Sequence, residues 1–274
     1  MLAISSATQA AGRPALRLSI DVGKAGSYPA LMDASSPLLP ELTVFFPFRN
    51  EAACIVPVVE QARQRLLPLV GDLEMLLIND GSTDATGELA DALATRFPDI
   101  HVIHHPVPLG YGAALISGFR TAGKAHILYL DGDGQFDAGD LARCRPLLPG
   151  YDLIAGYRLA RADPFIRRLS AGLFRFAFRL CYGLPVRDID CAFKLVRREI
   201  VAALPLASSG LLIDAELLIR TKRAGYRIDE IGVRHLPRLA GQSAVFRPAV
   251  IRQMLRDFLD FPRLLADRRP TNAR

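Results

Sequence analysis

From residue 42 onward the chain alternates between two hydrophobic rhythms. Apolar strand-like runs (TVFFPF, EMLLIN, HVIHH, HILYLD, DLIAGY) are separated by EAACIVPVVEQARQRLL, DATGELADALATRF and GYGAALISGFRTAG, where apolar residues recur every three or four positions. The runs read as buried strands and the spaced stretches as amphipathic helices, with one more helix expected near 138–148. Such alternation predicts an α/β fold, a mainly parallel sheet with helices on both faces. Residues 1–40 mix Ala, Ser, Gly and Pro without period and are expected to form a flexible extension. The folded domain is placed at 41–246, and 247–274 is read as a basic amphipathic helix.

Ligands of parallel sheets gather where strands end, so the polar residues after each run form a candidate set. They are Arg49-Asn50-Glu51, then Asn79 to Asp84, then Asp131-Gly132-Asp133-Gly134-Gln135. A dinucleotide fingerprint is missing, because Gly110-Tyr111-Gly112 lacks the third glycine at the required spacing.

Asp131 and Asp133 stand at i and i+2 after a buried strand, so both carboxylates face one side and can approach one ion. Hard oxygen donors of this kind suit Mg²⁺ or Mn²⁺. Ser82, Thr83 and Asp84 are good helix-capping types, which alone could explain GSTD; Asp80 is less easily explained that way. Gly110, Gly112, Ala113 and Gly118 permit close backbone approach, by a ligand or by packing. Arg158 follows the fifth run, where its fork could grip a phosphate, and Arg167, Arg168 and Ser170 come soon after. Asp188 and Asp190 form a second i, i+2 pair.

Six segments in order, PFRNE (47–51), INDGSTDAT (78–86), PLGYGAALISGFRTA (108–122), LDGDGQ (130–135), DIDCAFKLVRR (188–198) and PRLAGQS (237–243), resemble the family-2 glycosyltransferases of the GT-A fold. Within that family the likeness is to polyprenyl-phosphate sugar transferases similar to dolichol-phosphate mannose synthase. The resemblance covers Leu42 to Ser243 and implies a Rossmann-like GT-A sheet. It also implies inverting transfer of a sugar from a nucleoside diphosphate, expected to be UDP, onto a polyprenyl or other lipid phosphate. By that likeness Asp131, Asp133 and Gln135 hold the metal. Pro47, Arg49, Glu51, Asp80, Asp131 and Gly132 meet the nucleotide, with Asp80 facing the base. Arg238, with His235 as a weaker candidate, contacts a phosphate from a covering loop that extends to Gly241 and Ser243. The likeness puts an aspartate from 188–190 at the acceptor, where Asp188 or Asp190 acts as base for a hydroxyl; for an ionised phosphate acceptor the pair would orient groups or balance arginines. Transfer to a saccharide or lipid hydroxyl is therefore the rival, and a non-catalytic nucleotide-binding protein a more distant one.

Composition adds the setting. Cys54, Cys144, Cys181 and Cys191 show no C-x-x-C or framework spacing, which fits a reducing compartment. The N-terminus lacks the pattern of a signal peptide, and no stretch of 18 uninterrupted apolar residues occurs. The 34 basic residues exceed the 28 acidic ones by six, and residues 247–274 hold seven arginines against three aspartates, so the basic excess is largely matched by this tail. The segment PFIRRLSAGLFRFAFRLCY (164–182) has the same basic amphipathic character. Both could lie in an anionic headgroup layer, pack on the domain, or pair across a homodimer. The expectation is a cytoplasmic enzyme, peripheral at the inner face of the membrane, with a nucleotide-sugar and a lipid phosphate as partners and no nucleic acid.

Overall fold

The computed structural model describes residues 36–150, 152–159, 178–184, 186–239 and 248–266, with side chains of the last helix from 256 onward. The readings of residues 1–35, of Arg167, Arg168 and Ser170, of the greater part of segment 164–182, and of Gly241 and Ser243 lie outside the described residues.

The elements run β1 (Leu39–Phe48), α1 (Ile55–Leu66), β2 (Val70–Asp80), α2 (Thr86–Arg96), β3 (Ile100–His105), α3 (Tyr111–Thr121) and β4 (His126–Tyr129), as the hydrophobic rhythm predicts. There follow a short 3-10 turn (Ala138–Cys144), β5 (Leu153–Arg158), β6 (Lys194–Arg197), α4 (Arg198–Ala203), α5 (Ile213–Arg223), β7 (Ile228–Val233) and α6 (Pro248–Ala266). The helix expected at 138–148 is only this turn. Pro146 and Pro149 stop it, since a proline clashes with the preceding helical turn and biases its neighbour away from helix. β1 begins at Leu39, and Leu38 and Leu39 are already buried, so the ordered core starts slightly before residue 41.

All seven strands form one sheet in the order β3-β2-β1-β4-β6-β5-β7. It is parallel except for β6, which pairs antiparallel with β4 on one side and β5 on the other. Alternation along β1 divides the core: Val44, Phe46 and Phe48 join α1 and the 3-10 turn on one face. Phe45 joins Tyr129, Leu115, Phe119, Ile200, Leu218 and Phe261 on the other. Gly118 is required here, because a β-carbon would lie 2.5 Å from the Phe45 ring.

β6 and β7 are the strands that hydrophobic periodicity overlooks, and β6, KLVR, opens on a lysine. Lys194 is nonetheless wholly buried. Its ammonium donates to Asp214 Oδ1 (2.6 Å), the Tyr129 hydroxyl (2.9 Å) and the carbonyls of Ile189 (3.0 Å) and Cys191 (2.6 Å). Tyr129 also donates to Asp214. Burial pulls the lysine down to about 8 and pushes the aspartate well above its ordinary range. One buried cation thus ties β4, β6 and α5 together and holds the 189–191 turn by its carbonyls.

Lys194→Met should destabilise the protein by about 3–5 kcal/mol in urea unfolding, because Asp214 loses its partner in the interior. Adding Asp214→Leu should recover part of that loss, and the orphaned carbonyls of Ile189 and Cys191 should keep the recovery incomplete.

Candidate active site

The carboxyl ends of β1, β2 and β4 lie side by side: Phe48 is level with Asn79, and Phe45 with Tyr129. Asp131 and Asp133 follow β4 at this edge. Gly132 between them is buried, and a β-carbon there would strike the Phe48 ring and the Pro47 carbonyl, so the turn needs glycine for packing against β1. Arg49 is exposed, while Pro47 and Glu51 are half-buried at the rim.

Two loops are laced together next to this turn. Asn50, at φ 55°, is the only described non-glycine residue with positive φ, a region asparagine tolerates better than most. Its amide donates to Ser82 Oγ (3.0 Å), and its side-chain oxygen accepts from the Thr83 amide (2.8 Å). The Glu51 amide donates to Thr86 Oγ1 (2.9 Å), and Asp84 accepts from the Ala52 and Thr86 amides. The GSTD residues therefore cap α2 only in part; mainly they fix the backbone that presents Glu51.

Asp80, expected to face a nucleobase, is the last residue of β2. Its carboxylate is buried and accepts from His105 Nδ1 (2.8 Å) and the amides of Leu109 (2.8 Å) and Gly110 (3.0 Å). His105 in turn meets Ser117 Oγ at 2.9 Å. These contacts brace the 107–110 turn and the start of α3. Gly110 and Gly112 seat that start against Ser208 and Ser209: the Gly112 amide donates to the Ser209 carbonyl (2.9 Å), and a β-carbon on Gly112 would sit 2.1 Å from the Ser208 carbonyl oxygen. Both glycines serve packing.

The purpose of that bracing is Tyr111, which sequence reasoning passes over. Its hydroxyl donates to Asp131 Oδ1 at 3.0 Å. Burial, then the nearby Asp131 charge, raise its pKa well above the usual phenol range, so it remains a donor. Burial and the adjacent Asp133 charge push Asp131 itself up to about 7. Asp133 Oδ1 accepts from the Gln135 amide (3.0 Å), and its Oδ2 meets Arg238 Nη2 at 2.8 Å. The other arm of Arg238 reaches Glu51 Oε1 at 3.1 Å. Glu51 is raised mainly by its burial, against which Arg238 pulls. Gln135, expected as a metal ligand, turns its amide to the Leu236 carbonyl (3.3 Å).

The second acidic pair divides. Asp188 is buried and gripped by Arg158 through two bonds, Nε to Oδ2 at 2.7 Å and Nη2 to Oδ1 at 2.8 Å. Burial disfavours the guanidinium charge, but the Asp188 bonds outweigh it, and the arginine pKa rises. Of the roles open to this pair, balancing an arginine is what the geometry gives Asp188, and by the same bond Arg158 is committed to a carboxylate. Asp190 is exposed. His235 stacks edge-on against Phe136 with ring centroids 5.5 Å apart, on the segment that carries Arg238.

No group of three or more His, Cys, Asp or Glu disposed to hold a metal occurs among the described residues. The donors do fit Mg²⁺ or Mn²⁺ in another way. Such ions commonly take one or two carboxylates and complete their shell with water and substrate phosphate. The raised Asp131 marks a carboxylate pair short of positive charge.

That shortage sets a pH dependence. A carboxyl whose folded pKa lies above its unfolded value adds stability that is fully present below the unfolded value, near 3.8, and is lost as pH rises through about 7. Asp131→Asn should therefore melt higher than the native protein at pH 8, by roughly 2–4 °C per kcal/mol recovered. The gap should close as the pH approaches 4, and Mn²⁺ should raise the midpoint of the native protein alone.

Comparison with known proteins agrees with this architecture. The sequence profile for Glycosyl transferase family 2 matches residues 43–204, more than half of the chain. Undecaprenyl-phosphate mannosyltransferase of Micrococcus luteus is 29% identical over 190 residues, covering 65% of this chain and 78% of that one. Polyprenol monophosphomannose synthase of Mycolicibacterium smegmatis is 29% identical over 209 residues, covering 69% and 78%. Among solved structures, glucosyl-3-phosphoglycerate synthase of Mycobacterium tuberculosis, in complex with Mn²⁺, uridine diphosphate and phosphoglyceric acid, superposes with a TM-score of 0.62. It is 23% identical, covers 81% of this chain and 78% of its own, and so speaks for the fold. A GT-A sheet with its carboxylate pair at the strand ends, and a family match over most of that sheet, make this chain a glycosyltransferase belonging to glycosyl transferase family 2.

Proposed function

We propose that the enzyme transfers a sugar from a nucleoside diphosphate, UDP in the first instance, to a polyprenyl or other lipid phosphate with inversion at the anomeric carbon. The observation that carries this reading is the meeting of Asp131, Asp133, Glu51 and Arg238 at one strand edge. Asp131 and Asp133 would hold Mg²⁺ or Mn²⁺, which when bound neutralises charge developing on the departing diphosphate. Tyr111 fixes the orientation of Asp131, Glu51 would line the nucleoside side, and Arg238, which now meets Asp133 and Glu51, would turn to the diphosphate. The two relatives, one named for undecaprenyl phosphate and the other for polyprenol monophosphomannose, support the acceptor class.

A phosphate acceptor also suits the chemistry near 188. An ionised phosphate attacks without a base, and Asp188, saturated by the Arg158 fork, is poorly placed to remove a proton. The exposure of Asp190 favours the second reading, in which that residue serves as base for a hydroxyl acceptor.

Incubation with labelled nucleotide-sugars and a short polyprenyl phosphate should give a lipid-linked product. Replacing Asp131 or Asp133 by Ala should cut the rate at least about a hundredfold. Asp190→Asn should cost only a small factor; a loss of several orders with nucleotide binding intact would favour the hydroxyl acceptor.

A lipid acceptor places the work at a membrane surface, and peripheral attachment at the cytoplasmic face is part of the proposal. No helix among the described residues is long and apolar enough to cross a membrane. In α6, Phe261 and Leu265 are buried in the domain, while Leu259 is 77% exposed and Arg256 and Arg263 are also outward. Leu180, in the neighbouring helical segment, is 74% exposed. The enzyme should co-sediment with anionic liposomes at low salt and leave them at high salt. Replacing Leu180 and Leu259 by Glu should abolish co-sedimentation without lowering the melting temperature.

A further inference from the structure

Three acidic side chains converge on the crevice, and a single guanidinium bridges two of them. Arg238 places Nη2 on Asp133 and Nη1 on Glu51, two carboxylates that belong to different strand ends. The backbone fixes this reach. The Leu236 amide donates to the Gln135 carbonyl (2.8 Å), Phe136 and His235 form an antiparallel bridge, and the Leu239 amide approaches the Asp133 carbonyl (3.4 Å). The 235–239 segment is therefore registered against the acidic turn itself. Its arginine has one-quarter of its side chain exposed, enough to leave by a rotamer change.

The position of that cation carries a consequence for any other cation. A divalent ion shared by Asp131 and Asp133 needs lone pairs on Asp133, and Arg238 occupies Oδ2. Two cations on one carboxylate also repel each other. Both can be accommodated only when more negative charge enters, and a diphosphate brings it: the ion and the guanidinium can then each bind phosphate oxygens, for which the arginine fork is well shaped.

Building on the donor class proposed above, we infer that Arg238 is a resident counter-ion that competes with the divalent metal for Asp133 until a nucleoside diphosphate draws it away. The same exchange releases Glu51 to the nucleoside. Metal and nucleotide then bind with positive coupling, because each relieves the condition that opposes the other.

The coupling can be read without turnover, by titrating Mn²⁺ against the full-length protein while following the free-ion electron paramagnetic resonance signal, with and without UDP. For the native enzyme, Mn²⁺ alone should bind weakly and UDP should tighten it at least about tenfold. Arg238→Gln should bind Mn²⁺ alone about fivefold or more tightly than the native enzyme, with most of the UDP-dependent gain lost. Arg238→Lys, whose ammonium can meet one carboxylate at a time, should fall between them, and circular dichroism confirms that the variants are folded. If Arg238→Gln binds Mn²⁺ alone no more tightly than the native enzyme while the native enzyme binds Mn²⁺ with UDP, the counter-ion role is overturned and the donor reading stands. If neither protein binds Mn²⁺ even with UDP, the donor reading is overturned and this inference falls with it.

Discussion

Crowding of negative charge at the carboxyl edge of the sheet is the constraint around which the rest is arranged. Asp131, Asp133 and Glu51 converge in partly desolvated surroundings, and like charges this close disfavour one another. The fold does not relieve them with a nearby lysine on the same turn. It supplies a tyrosine hydroxyl from α3, a guanidinium from beyond β7 and, deeper, the buried Lys194. Each donor comes from a different part of the chain. The elements that bring them in are in turn fixed by contacts of their own, such as the Asp80 bonds that brace α3.

The direction of β6 explains how residues near 190 come to share that edge. A strand laid antiparallel between β4 and β5 presents its beginning where its neighbours present their ends, as the pairing of Tyr129 with Lys194 shows. The turn at 188–191 therefore enters from the opposite sense and meets Arg158 at the end of β5. Lys194, at the first position of β6, holds that turn by two carbonyls. Sheet polarity and buried charge thus act together to place one acidic loop.

Hydrophobic rhythm makes the central strands legible because a parallel sheet covered on both faces demands uninterrupted apolar runs. The i, i+2 carboxylates are legible for an equally local reason. What escapes such reading depends on contacts between distant segments. Tyr111 looks like one more residue in a small-residue stretch until α3 brings it to Asp131, 20 residues away. Lys194 looks like a break in a strand because its partners lie on β4 and α5. Asp80 shows the same from another side: its position in the motif suggests a ligand contact, and only the fold reveals that two backbone amides and a histidine also engage it. A carboxylate's place in the sequence shows that it stands at a strand end, and not whether the chain folds back to use it.

The docking of α6 fixes geometry beyond the molecule. Phe261 and Leu265 lie in the core, Phe178 packs against both Phe258 and Phe261, and Arg220 holds the Leu264 carbonyl at 2.8 Å. A helix secured along this half behaves as part of the wall and not as a tether. Any flat surface that meets its outer side meets the whole domain at one inclination. The height of the acidic strand edge above that surface is then set by core packing, much as the angle of a blade is set by its handle.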